Sequence, residues 1–217
     1  MSQNNWAATA EQQILDAALQ LAPEHGWGGA LAWRAAARCG FSRGEAELLL
    51  PHGSADLAAL LSQRHDQAAL AALVGTNVET LKIRDRIRAG VLARLEATDA
   101  DAAAVRRCVG FLALPAHVPL AMRLAWASAD AIWRWAGDTS TDENHYTKRA
   151  ILVGVLTAVL AADVSHGRDA AKSQLEVRIG NVMSFEKWKA GLKPADAGAR
   201  IASLLARLRY GRPKVET

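Results

Sequence analysis

Six histidines, two cysteines and scattered carboxylates are the residues of this 217-residue chain that could transfer protons, bind metal or attack an electrophile. His25, His52, His65, His117, His145 and His166 stand apart, with Asp66 beside His65 and Asp142 three residues before His145. Neither spacing supplies the nucleophile, base and orienting group that covalent catalysis needs. No Glu-x-x-His pair occurs, so a di-iron carboxylate bundle, which requires two, is excluded. His65 reads as a solvated helix residue. Gly28-Gly29 lies between helices and follows no strand, which fails the context of a phosphate-cradling loop. Cys39 and Cys108 have neither metal-ligand spacing nor the density of a disulfide scaffold. They read as reduced thiols, and zinc ribbons and iron–sulfur clusters are excluded. A non-enzyme without cofactor or metal is expected.

The elements that carry these residues are helices. Alanine supplies 46 residues against two tyrosines and three phenylalanines, a balance that favours helix over strand. Helices are expected from a Thr9 cap to His25-Gly26, from Ala30 to Arg38, from a Ser42 cap to Leu50, and from a Ser54 cap to about Val74. Longer ones follow over Thr76–Ala97, Ala102–Leu114, Pro119–Ala136, Glu143–Ala162 and Asp169–Leu192. Three regions result: a three-helix region at 1–53, a helical domain at 54–193, and an amphipathic helix with its tail at 195–217.

Ile151, Val155 and Val159 recur beside Leu152, Leu156 and Leu160, which makes the eighth helix central. Trp126 and Trp133 on the seventh helix, and Ile179, Val182 and Met183 on the ninth, would be its neighbours. Periodicity alone fits a solid core as well as a cavity. The longest nearly apolar run, Ala150 to Ala162, has 13 residues, against about 20 for a membrane span. The start of the chain has neither a basic n-region nor an apolar h-region, so a cytoplasmic protein with at most peripheral membrane contact is expected.

Charge is uneven along the chain. Its formal net value is +4. Residues 1–50 place Glu11, Asp16, Glu24, Glu45 and Glu47 against Arg34, Arg38 and Arg43, whereas residues 195–217 hold five basic residues and two acidic ones. In that tail Ile201, Leu204, Leu205 and Leu208 alternate with Arg200, Arg207 and Arg209 at helical spacing. The leucines could enter an acyl boundary while the arginines reach anionic headgroups. A final helix packed on its own domain, or on a second copy, fits the same pattern.

The run Ile14-Leu-Asp-Ala-Ala, Gly26-Trp27, Arg38-Cys-Gly40-Phe-Ser42-Arg43-Gly44 resembles the N-terminal helix-turn-helix of TetR-type regulators. Where that family places a hydroxyl, a tyrosine and a histidine on its recognition helix, this chain has Glu45, Glu47 and Leu49. Carboxylates oppose the phosphate neutralisation that dominates DNA affinity, so nucleic acid is not the expected partner. A DNA-binding regulator with an apolar ligand pocket is the alternative reading.

A second resemblance begins at Asp130-Ala-Ile-Trp133 and runs through Ala136-Gly137-Asp138-Thr-Ser-Thr141-Asp142 to Tyr146-Thr147-Lys148-Arg149. It resumes at Arg178-Ile-Gly-Asn181-Val-Met183-Ser-Phe185. These residues look like the ubiquinone-biosynthesis accessory family, the ninth Coq protein. The resemblance implies a TetR-like all-α fold with an N-terminal helix-turn-helix, a larger ligand-pocket domain and a membrane-docking C-terminal helix. It further implies a phospholipid or isoprenoid quinone intermediate as ligand, an anionic membrane surface (here the cytoplasmic face of the inner membrane), a homodimer, and the demethoxyubiquinone hydroxylase or an equivalent as partner. Lipid would meet Phe111, Leu112, Leu114, Trp126, Ile132, Trp133, Leu152, Val155, Leu156, Val159, Ile179, Val182 and Met183. Asp142, His145, Tyr146 and Arg149 would face the partner, and residues 200–209 the membrane. Glu143 and His145 stand where the family has aromatics, while Ser140 and Glu143 have capping-box spacing.

Overall fold

Alanine-rich segments punctuated by glycine form helices, and only helices, over the residues that the computed structural model describes, 3–140 and 143–191. In order these are α1 (Gln3–His25), α2 (Gly29–Arg38), α3 (Arg43–Leu49), α4 (Ser54–Ala72), α5 (Ile83–Glu96), α6 (Ala102–Leu112), α7 (Val118–Trp135), α8 (Glu143–His166) and α9 (Arg168–Gly191). The chain forms two compact units, residues 1–175 and 176–217. Membrane-facing Arg200, Ile201, Leu204, Leu205, Arg207, Leu208 and Arg209 lie outside the described residues.

In the first unit, α1 is the spine. Its Ala10, Ile14, Ala18 and Ala22 recur every four residues and are all buried. Ile14, Ala18 and Ala22 pack with Leu31 and Ala35 of α2, Leu57 and Leu61 of α4, and Val105 and Cys108 of α6 in one apolar cluster. The three-helix region therefore shares its core with the helices that follow. Trp27 Nε1 donates to the Ser54 carbonyl at 3.0 Å, and Ser54 Oγ donates back to the Gly28 carbonyl. Ser54 is thus the first residue of α4, after Gly53, and its hydroxyl ties two helices together instead of capping one. Helix α1 likewise begins before Thr9, at Gln3.

Ser42 does cap α3, as expected, and it does so reciprocally. Glu45 N donates to Ser42 Oγ at 3.3 Å, and the Glu45 carboxylate accepts from Ser42 N at 2.8 Å. Ser42 Oγ also donates to the Glu45 carboxylate at 2.6 Å, and this bond together with that from Ser42 N lowers the Glu45 pKa. Helix α5 starts later than its apolar pattern suggests. Asn77 Oδ1 accepts from Glu79 N and the Asn77 carbonyl accepts from Thr80 Oγ1, which holds Val78–Thr80 in a 3-10 turn instead. Further along α5, Gly90 lies against Ile132 of α7, and a Cβ there would stand 2.5 Å from Ile132 Cγ2.

Segment His145–His166 of α8 is long and apolar enough to cross a membrane, with a mean hydropathy of 1.5. In the bundle it packs on α7 and α6 and buries Leu152, Val153, Val155 and Val159. The same composition serves the centre of a helical layer.

Candidate functional site

Helices α4 to α8 do not close on one another completely. Between them lies a half-open cavity of about 400 Å³, within the size range of small-molecule sites, roughly 300–1,000 Å³. Leu61, Val91, Val105, Leu124, Leu156 and Val159 supply apolar wall from five helices. Small residues leave the space: Ala113, Ala121, Ala125 and Ala161 line it where larger side chains would fill it. Cys108 also lines it, with a thiol that burial pushes up to about 12, so it is an inert apolar group and not a nucleophile.

One part of the wall is polar. His65, Ser62, Arg94, Thr98 and Ser128 face the cavity. His65 is only 3% exposed, which corrects its reading as a solvated residue. Its Nε2 lies 3.0 Å from Asp101 Oδ2, and burial lowers its pKa although the Asp101 hydrogen bond pulls the other way. Arg94 Nε donates to Asp66 Oδ1 at 2.5 Å, and Ser128 Oγ donates to the same oxygen at 2.7 Å. This group was available in the sequence, because Leu57, Leu61, His65 and Ala69 recur every four residues and all four are buried.

Of the thirteen residues expected to meet lipid, Leu112, Leu156 and Val159 line the cavity. Ile132, Leu152 and Val155 are buried but do not line it, and Ile132 instead fills the gap at Gly90. Phe111 stacks on His117 with centroids 3.9 Å apart, and Leu114 is exposed. Trp126 lies 6.3 Å from Tyr146, and Trp133 Nε1 donates to the Lys148 carbonyl at 3.1 Å. Ile179 belongs to the second unit, and the Val182 and Met183 side chains lie outside the described residues.

Between α7 and α8 the chain turns at Gly137, whose φ of 87° suits glycine. Asp138 follows as the hub of an ionic clamp. Its carboxylate accepts from Lys148 Nζ at 2.7 Å, Arg149 Nη1 at 3.0 Å and Ser140 Oγ at 2.9 Å. Burial alone would raise the Asp138 pKa, but these three donors outweigh it and hold the carboxyl well below the usual range. Arg149 also reaches Asp130 on α7 through Nε at 2.6 Å. It is 1% exposed, so its expected place on a partner-facing surface is corrected: its guanidinium is consumed inside the turn. Tyr146 is exposed, and its ring meets His145 edge-on at 5.2 Å. His145 is half-buried, with Nδ1 2.9 Å from the Ser140 carbonyl, and Asp142 lies outside the described residues. Ser140 turns its hydroxyl to Asp138, while the Glu143 side chain that would complete the capping box is not among those described.

The clamp and the α7–α8 wall fall within residues 118–186, which match the COQ9 family model. Ubiquinone biosynthesis protein COQ9-A, mitochondrial, of Xenopus laevis is 32% identical over 186 residues, covering 81% of this chain and 58% of the relative. The chain belongs to the COQ9 family. Mitochondrial COQ9 of Rattus norvegicus is 29% identical with 81% and 59% covered, and that of Homo sapiens is 28% identical with 81% and 58% covered. This COQ9-family chain thus spans under two thirds of the length of those relatives. The matched residues include the Gly137-Asp138 turn and the Lys148-Arg149 pair. Elsewhere, among the described residues, no three His, Cys, Asp or Glu side chains gather as metal ligands.

Proposed function

We propose that the chain is a non-catalytic accessory protein of ubiquinone biosynthesis that holds a phospholipid or an isoprenoid quinone precursor in the α4–α8 cavity. The single observation that carries this reading is an apolar cavity of about 400 Å³ in a chain of the COQ9 family. Burying each methylene of an acyl or isoprenoid chain contributes about 0.8 kcal/mol, so affinity needs no catalytic group. Residues 195–217 dock on an anionic membrane, here the inner membrane from its cytoplasmic side, where such precursors reside. The relatives bear the name of mitochondrial proteins. Tyr146, exposed and edge-on to the half-buried His145, offers an aromatic face to a partner, the demethoxyubiquinone hydroxylase or its equivalent, and the chain acts as a homodimer. Large aromatics are favoured anchors of such contacts.

The DNA-binding alternative draws no support from α3. That helix has seven residues, its Glu45 serves the cap, and Arg43 is paired with Glu47 at 2.9 Å. Native mass spectrometry with lipid extraction, on protein from its own host and on a version truncated after Pro194, tests the proposal. Lipid in both, with loss of anionic-liposome binding in the truncated form alone, is the expected result. Absence of lipid from both sinks the cavity reading, and salt-sensitive retention on DNA would favour the regulator.

A further inference from the structure

Hydrogen-bonding capacity in the cavity wall is unevenly spent. His65 directs Nε2 to Asp101 at 3.0 Å, so in the neutral ring that nitrogen carries the proton and Nδ1 is left as an acceptor. Nδ1 makes no hydrogen bond among the described residues. Arg94 uses Nε on Asp66 and reaches Ser62 Oγ with Nη2 at 3.5 Å, which leaves Nη1 without a hydrogen bond among the described residues. An acceptor and a donor thus stand unused on adjoining helices of one apolar cavity.

Charge narrows the choice of ligand. Arg94 is already matched by Asp66, and Asp101 adds a negative charge against a neutral His65. Arg168, which reaches Thr98 Oγ1 at 3.4 Å, is itself bound to Asp99 and Asp163. Arg168 keeps a buried Nη1 without a partner but does not line the cavity; Arg94, the cation that does line it, is matched by Asp66, so a phosphate would face the uncompensated Asp101 charge. A hydroxyl has the chemistry that the two open positions call for, a proton to donate to His65 Nδ1 and lone pairs to accept from Arg94.

We propose that His65 and Arg94 form the head-recognising corner of this cavity, selecting a ligand whose apolar body ends in an uncharged phenol-type hydroxyl over one that ends in a phosphate. This rests on the cavity being a lipid site, and it adds which head that site accepts.

Titration calorimetry of the full chain at neutral pH with four probes of equal tail tests it: 4-dodecylphenol, its methyl ether, dodecylbenzene and dodecyl phosphate. The phenol is expected to bind about tenfold more tightly than each of the others, the equivalent of one hydrogen bond to a charged group. His65→Phe, which keeps a ring in the wall, should lower phenol affinity to that of dodecylbenzene and leave dodecylbenzene unchanged. Because truncating Arg94 would strand the Asp66 carboxylate, Arg94→Lys is the companion variant, and a partial loss confined to the phenol is expected. Equal binding of phenol and dodecylbenzene, or tighter binding of the phosphate, overturns the head assignment while leaving the cavity as a lipid site. Failure of all four probes to bind overturns both.

Discussion

His65 places an imidazole in an apolar wall, with Asp101 on Nε2 and the Arg94 and Asp66 charges close by. Burial depresses its pKa, so the native state resists protonation that the unfolded chain accepts near pH 6.5. The stability linked to His65 is therefore complete above that pH and is lost as the pH falls below it. Urea unfolding at a series of pH values should give the wild type a steeper loss than His65→Phe, by at most about 1.4 kcal/mol per pH unit. Parallel curves would mean that His65 takes up its proton without strain in the native state. Arg149 makes the opposite case, a charge held by two carboxylates. Arg149→Leu removes the donor shared by Asp130 and Asp138, which keep Arg134 and Lys148 respectively, and should cost about 1.5–3 kcal/mol in the same assay, the worth of a hydrogen bond to a charged group. Arg149→Lys recovers only part, since one ammonium cannot span both acids as a planar guanidinium does.

The α5–α7 crossing depends on the absence of one methyl group. Gly90→Ala brings a Cβ to 2.5 Å from Ile132 Cγ2. Alanine is the better helix former by about 1 kcal/mol, yet overpacking should give a net loss of about 1–3 kcal/mol. In an Ile132→Ala background the same substitution should cost nothing or stabilise, and an unchanged cost there would place the strain elsewhere. Such crossings mark the limit of what the sequence discloses. The nine α-helices among the described residues are foreshadowed by periodicity and glycine stops, and the Ser42 cap lies in plain view. Ser54 is a different matter, because its hydroxyl is diverted by Gly28, a residue brought near only by tertiary packing. Arg149 looks like an exposed helix residue until Asp130, nineteen positions earlier, lies beside it. Leu112, Leu156 and Val159 reach the cavity while their equally apolar neighbour Leu152 does not, and one helix's pattern cannot tell which of two buried faces meets a void.

Over the whole first unit, a shared core of α1, α2, α4 and α6 stands next to a cavity that α4 to α8 leave unfilled. An unfilled apolar space forfeits dispersion contacts, so the unit without ligand should sit below the stability that its size allows. A ligand at one hundred times its Kd adds about 2.7 kcal/mol, which for a unit of this size corresponds to a rise in Tm of roughly 5–10 °C. Differential scanning fluorimetry with 4-dodecylphenol should record such a rise. Ala125, on α7 and in the cavity wall, provides the control. Ala125→Phe occupies the space from inside, so it should raise the Tm of the unliganded protein and abolish the ligand-dependent shift. A variant with lower Tm would mean that the wall cannot accept a ring at that position, and Ala121→Leu then fills the same space with less bulk. A full ligand shift that persists in a stabilised Ala125→Phe protein would place the binding site outside the α4–α8 cavity, and both the lipid reading and the role of His65 would have to move with it.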